Sequence, residues 1–113
     1  MVLAQASSKP DAQRGLAVYQ AKCIACHSVD EHRVGPAHAG VLGRRAGSAK
    51  GYDYSEALAK SKVIWSTKTL NAWLTDPEQL IPHQKMGYRL SLSKERADVI
   101  AYLATLPKAA SSK

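Results

Sequence analysis

A chain of 113 residues has room for one domain and none for a separate catalytic module. Sixteen Lys and Arg against nine Asp and Glu leave a formal net charge of +7, so its surface favours acidic partners, and nucleic acid, anionic lipid and acidic protein faces all qualify on charge alone. No nucleic-acid fold motif accompanies that charge, and no stretch approaches the ~20 apolar residues of a membrane span, which leaves peripheral membrane contact at most.

Residues 1–9 are small, polar and uncapped and are expected to be flexible. Met1-Val2-Leu3-Ala4 is too short for a secretory signal, although Ala4-Gln5-Ala6 has the small-x-small form of a cleavage site, the tail of a removed signal. Pro10 suits a first helical turn and Asp11 puts negative charge at the positive end of the macrodipole. With Leu16, Tyr19, Gln20 and Cys23 on one face, a helix is expected over 11–21. Gly15 within it costs roughly 1 kcal/mol against Ala, which points to another helix packed closely there.

Residues 28–51 show no sustained period and hold Gly35, Pro36, Gly40, Gly43, Gly47 and Gly51. A loop this long in a compact domain needs something to wrap around. Ser55 is expected to cap a short helix over 56–61, and Ser66 or Thr67 to start another that carries Leu70, Trp73 and Leu74 on one face and ends at Pro77. Residues 76–92 return to loop. Ser93 is expected to cap a final helix, with Glu95 in its first turn, Ala97, Ile100, Ala101 and Ala104 at helical spacing, and Pro107 as its stop. Residues 108–113 read as a flexible tail. No strand alternation is present, so the fold class is all-α, and a buried disc between the two long loops would account for both.

Cys23-Ile24-Ala25-Cys26-His27 is the C-x-x-C-H pattern of covalent haem attachment. Two thiols three residues apart on a helical turn reach the two vinyl groups on one edge of a porphyrin, and the adjoining His swings beneath the ring toward the iron. A thioredoxin-like reading of the same cysteines needs a βαβ context. A zinc reading needs four ligands, for which Cys23, Cys26, His27 and His32 are the candidates, but His27 follows Cys26 too closely to chelate easily. Met86 is the only internal methionine, and its place in a loop between Lys85 and Gly87 suits core filling poorly. It is the candidate second ligand, an assignment that rests mainly on the resemblance that follows.

From about Gly15 to Leu106 the sequence resembles class I cytochromes c, the soluble mitochondrial and bacterial type. Cys23, Cys26 and His27 match the attachment site, and Gly35-Pro36 matches the pair in which the Pro36 carbonyl accepts the ligand imidazole's N–H. Gly15 and Tyr19 match the N-terminal helix positions that pack on the C-terminal helix at Val99 and Tyr102. The resemblance implies a cytochrome c fold over 10–107, with terminal helices packed crosswise and shorter helices and loops wrapping one covalent haem c. It implies iron ligation by His27 and Met86, and places Arg44, Tyr52, Tyr54 and Trp65 around the haem propionates. Trp73 stands where the family usually has a Tyr beside the Met sulfur. Other departures are Leu58 for a frequent Asn, His38 for a Leu on the proximal haem face, His83 for a Gly at a position favouring positive φ, and Gln84 for a Thr. His83 and Lys85 stand near enough to Met86 to compete with it; His38 reads as a partly buried, hydrogen-bonded side chain and His32 as a solvated loop residue.

The implied function is a monohaem c-type cytochrome carrying single electrons between redox partners, not an enzyme. By analogy Lys22, Lys85, Arg89 and Lys94 ring the exposed haem edge and face acidic docking surfaces on an oxidase, reductase or dehydrogenase. Glu78 and Gln79 replace two of the family's lysines, so the ring is thinner. A monomer in the bacterial periplasm with its signal removed is expected, the alternative being the mitochondrial intermembrane space. Two rivals stay open at this point: peroxide reduction if Met86 dissociates readily, and a haem domain or subunit of a larger oxidoreductase.

Overall fold

The computed structural model describes residues 9–107. Helix α1 (Ala12–Lys22) begins where Asp11 takes extended backbone angles and its carboxylate accepts a hydrogen bond from the Arg14 N–H at 2.9 Å. Asp11 is therefore the cap, and Pro10 lies outside the helix. The buried face runs through Gly15 and Tyr19, four residues apart, while Gln20 is exposed; the inward stripe is rotated from the expected one toward the glycine. Helix α2 (Glu56–Ala59) is one turn, capped by Ser55, whose hydroxyl accepts from the Leu58 N–H at 3.2 Å. Helix α3 (Thr67–Thr75) has a reciprocal cap: the Ser66 hydroxyl accepts from the Thr69 N–H at 3.1 Å and the Thr69 hydroxyl from the Ser66 N–H at 2.7 Å.

Pro77 ends α3 and also opens a further turn, α4 (Pro77–Leu80), within the stretch expected to be loop. A proline needs no hydrogen-bond acceptor at a first helical position, so it both stops one helix and starts the next. Helix α5 (Ser93–Leu103) departs from expectation at both ends. Leu92 occupies the cap position, because its carbonyl already accepts from the Arg96 N–H at 3.0 Å, so Ser93 lies inside the helix and no side chain caps it. The helix closes at Leu103, well short of Pro107, and Ala104 is exposed; the buried residues are Asp98, Val99, Ile100 and Leu103.

The main helix pair is α1 against α5. At their crossing, a Cβ added to Gly15 would sit 1.9 Å from the Asp98 carbonyl oxygen and 2.9 Å from Tyr102 Cβ, so the backbones meet where only a glycine fits, as the sequence implied. The Tyr19 and Tyr102 rings follow at 5.2 Å. Trp65, Leu70, Trp73, Ile81, Leu90, Val99, Ile100 and Leu103 complete the core with Tyr19. α3 joins it by packing on α4 and α5. No strand occurs among the described residues, only an isolated antiparallel bridge between Arg45 and Ile64, so the thioredoxin-like reading lacks its context. Among the same residues no helix is long and apolar enough to cross a membrane. The expected loose ends, 1–9 and 108–113, lie outside the described residues except for Lys9, whose carbonyl accepts from the Arg14 guanidinium.

Among the described residues Asp98 is the one buried charge, 3 % exposed. Its carboxylate accepts from the Asp11 N–H at 2.9 Å and from Arg14 Nε at 3.0 Å, with Lys94 Nζ at 3.8 Å. Burial by itself would raise its pKa, but the Arg14 and Asp11 hydrogen bonds outweigh it and hold Asp98 below the ordinary carboxylate range. A depressed folded pKa contributes stability that is complete above the unfolded value, near 4, and is lost as pH falls through the folded one. Asp98→Asn is expected to cost about 2 kcal/mol at neutral pH and to flatten the acid-side loss of stability. Guanidinium unfolding repeated from neutral to strongly acid pH reads both effects.

Candidate functional site

The C-terminus of α1 turns directly into the cysteine motif. The Cys23 N–H still donates to the Tyr19 carbonyl at 2.9 Å, and the N–H groups of Cys26 and His27 both converge on the Cys23 carbonyl, at 3.1 and 2.9 Å. Cys23 is half-buried and Cys26 exposed; no disulfide joins them, and burial pushes the Cys23 thiol up to about 11. The Gly35 N–H donates to the Cys26 carbonyl at 2.8 Å, which folds the long loop back beneath His27.

His27 Nδ1 lies 2.9 Å from the Pro36 carbonyl oxygen. A carbonyl only accepts, so Nδ1 carries the proton and Nε2 is the nitrogen left for a metal. Burial lowers the His27 pKa, and the Pro36 bond opposes this without overturning it, so the ring is held neutral, the form that ligates. Gly35 makes the close fit possible: a Cβ there would stand 2.1 Å from His27 Cε1 and 2.6 Å from each ring nitrogen.

His38 stacks on His27 with ring centroids 4.1 Å apart and an angle of 25° between planes, and its Nδ1 is 2.9 Å from the Tyr19 hydroxyl. It is the partly buried, hydrogen-bonded side chain that the sequence suggested; burial drives its pKa down to about 3 and keeps it neutral. His32 differs from expectation. Its Nδ1 accepts from the Ala37 N–H at 3.0 Å, and Nε2 therefore donates to the Lys50 carbonyl at 2.7 Å. An exposed histidine thus ties together two ends of the long loop, aided by the Tyr52 hydroxyl donating to the Val34 carbonyl. Nothing in the local sequence signals these ties, since the partners are backbone groups, the Ala37 N–H and the Lys50 and Val34 carbonyls, brought near only by folding.

The residues expected around the propionates come from the loop between α1 and α2, except Trp65, which lies just before the cap of α3. The Tyr52 and Tyr54 rings meet edge to face at 4.8 Å, and Tyr54 accepts from the Ala49 N–H at 3.1 Å, which leaves its own O–H to donate. The Trp65 N–H donates to the Arg44 carbonyl at 2.9 Å. Arg44 spends Nη1 and Nη2 on the Ala39 and Ala37 carbonyls, at 2.9 and 3.1 Å, while its buried Nε has no partner among the described residues. Trp73, on α3, is buried against Trp65 at 5.4 Å. Met86 is half-buried against the edge of the core and borders an open cleft of about 240 Å³ shared with Pro77, Lys85 and Arg89.

The segment before Met86 has an unexpected anchor. His83 has φ 70, as its position predicted. Its N–H donates to Glu78 Oε2 at 2.8 Å, and the Gln84 amide donates to Glu78 Oε1 at 2.9 Å. Glu78 had registered in the sequence only as a missing lysine. The four cations expected at the haem edge are all engaged: Lys22 with Glu95 at 2.9 Å, Arg89 with Asp76 at 3.3 Å, Lys94 with Asp98 at 3.8 Å, and Lys85 with the Asp53 carbonyl at 2.8 Å.

This arrangement fits a covalent haem and not zinc. Two cysteine sulfurs not engaged in a disulfide, a neutral imidazole with one nitrogen spare, and a thioether are a haem donor set, and the buried Nε of Arg44, without a partner among the described residues, suits a carboxylate such as a propionate. Among the described residues no three of His, Cys, Asp and Glu converge as a metal group, so the four zinc candidates are not assembled.

The model of the Cytochrome c family matches residues 12–107. Cytochrome cH from Methylobacterium extorquens superposes with a TM-score of 0.80 at 42 % identity, covering 84 % of this chain and 98 % of that one. Ferricytochrome c2 from Rhodopseudomonas palustris superposes at 0.79 with 36 % identity, covering 85 % and 98 %. Cytochrome c of Kluyveromyces lactis is 35 % identical over 99 residues, 84 % of this chain and 90 % of that protein. The chain belongs to the cytochrome c family, whose members carry electrons on one covalently bound haem c.

Proposed function

We propose that Cys23 and Cys26 carry the haem thioethers, that His27 Nε2 and the Met86 sulfur are the two axial ligands, and that the closed site exchanges single electrons with redox proteins. The Nδ1 bond from His27 to Pro36 carries this reading, because it fixes the tautomer and orientation that a fifth ligand needs and makes the imidazole a stronger donor. Bound here, haem c would supply an iron alternating between ferric and ferrous states. Buried Trp65 and Trp73 would keep water from the interior beside it, and Arg44 Nε and the Tyr54 hydroxyl, both with a hydrogen left to donate, would take up propionate charge. With His27 and Met86 both holding the iron, little rearrangement would accompany each electron, which favours carrying over substrate chemistry.

Acidic docking faces on an oxidase, reductase or dehydrogenase remain the partner chemistry that a net charge of +7 supports. Because Lys22, Arg89 and Lys94 are each paired with a carboxylate, that attraction belongs to the whole surface more than to a ring of free cations. We place the protein in the bacterial periplasm, a reading supported by its similarity to the bacterial cytochrome cH and ferricytochrome c2, and take it to act as a monomer.

The oxidised protein is expected to show the weak absorption near the red end of the visible spectrum that marks iron–thioether bonding. Met86→Ala is expected to abolish it and to lower the reduction potential by on the order of 0.1–0.3 V, within the roughly 0.8 V that axial ligands span. A wild-type spectrum without the band at neutral pH would show that Met86 is not the ligand.

A further inference from the structure

We infer that Glu78 is a positioning residue for the sixth ligand: its carboxylate clamps the His83–Gln84 turn and so holds Met86 on the iron. The inference rests on the reading of Met86 as a ligand.

The turn needs holding. His83 sits at φ 70, a region that L residues other than Gly adopt only with strain, so its backbone would relax if nothing fixed it. Glu78 fixes it at two points. Oε2 takes the His83 N–H at 2.8 Å, and Oε1 takes the Gln84 side-chain amide at 2.9 Å, so one carboxylate spans backbone and side chain of consecutive residues. Both bonds are charge-assisted, the stronger kind, and both hold Glu78 below the ordinary carboxylate range.

Glu78 is itself well anchored. It lies on α4, whose first residue, Pro77, is fully buried, and the Ile81 N–H closes that turn onto the Pro77 carbonyl at 3.0 Å. The carboxylate therefore ties the ligand loop to a rigid element. Beyond the clamp, Lys85 Nζ reaches the Asp53 carbonyl at 2.8 Å, so the residue next to Met86 is tethered on its other side. Release of the clamp frees His83 to leave positive φ, and that motion is transmitted through two residues to Met86.

The test compares wild type, Glu78→Ala and Glu78→Gln as ferric holoproteins titrated with free imidazole, which competes with the Met86 sulfur. Glu78→Ala loses both contacts and is expected to bind imidazole about tenfold more tightly, the scale of one charge-assisted hydrogen bond on an exposed loop. Glu78→Gln keeps an acceptor oxygen for the His83 N–H and is expected to stay within about threefold of wild type. Guanidinium unfolding midpoints of all three should nearly coincide, because the clamp acts locally. Unchanged imidazole affinity in Glu78→Ala, or a change that merely tracks lost global stability, overturns the role of Glu78 while leaving Met86 ligation standing. A wild-type protein lacking the red-end band overturns both.

Discussion

Gly35→Ala is expected to yield little correctly ligated haem protein, and what forms should unfold on the order of 10–20 °C below wild type. A methyl group at this position would lie 2.1 Å from His27 Cε1 and 2.6 Å from Nδ1 and Nε2. One of the two must yield. The loop cannot, because the Gly35 N–H is bonded to the Cys26 carbonyl and its own carbonyl accepts from the Arg33 N–H at 2.9 Å. The imidazole must therefore tilt, which breaks the 2.9 Å bond to Pro36 and turns Nε2 off the ligand direction. Losing such a partner typically weakens metal binding ten- to a hundred-fold, and overpacking adds roughly 1–3 kcal/mol. The oxidised and reduced visible spectra report ligation, and a thermal melt reports stability. Gly87→Ala is the control, since a Cβ there meets nothing within 4 Å. A Gly35→Ala protein with a wild-type spectrum and melt would mean that the ring and loop are not in the contact described.

The second large effect lies at the helix crossing. On propensity alone, Gly15→Ala within α1 should stabilise the chain by about 1 kcal/mol. Sterics dictate the opposite. The new Cβ would lie 1.9 Å from the Asp98 carbonyl oxygen, a backbone atom of α5 that no rotamer change can remove, so the two helices must separate by more than an ångström. That separation loosens the contacts of Tyr19 with Tyr102 and of Val99 with the core, and lengthens the bonds from Asp11 and Arg14 to Asp98. A net loss of at least ~3 kcal/mol is expected, equivalent to a fall of about 12–24 °C in the melting midpoint. Because the two terms have opposite signs, calorimetry of this single variant distinguishes them. A midpoint at or above wild type would contradict the close crossing.

These sites also show how far the sequence could be read. Gly15 stood out because a glycine inside a helix has a local cost, and that cost implied a partner. The Cys23–His27 motif was legible because its chemistry needs only neighbouring residues, and the Gly35-Pro36 pairing because the resemblance spans nearly the whole chain. The helix starts at Ser55 and Ser66 were legible through short-range caps, and that of α1 to within a residue, with Asp11 read as a first-turn charge where the fold makes it the cap. The start of α5 was not, because Arg96 and the Leu92 carbonyl begin the turn a residue early and leave Ser93 no capping role. The turn of α4 was missed because Pro77 acts as stop and start at once.

What the sequence determined by itself was the cofactor chemistry and the helical frame, since both are written in residues one to four positions apart. The tertiary structure alone decided which side chains support that chemistry. His32 reaches Lys50 across 18 residues, Tyr19 reaches His38 across 19, Arg14 reaches Asp98 across 84, and Glu78 curls back onto a turn five residues on. In each case a polar group finds its partner because folding buries or juxtaposes both, and no local pattern encodes that meeting.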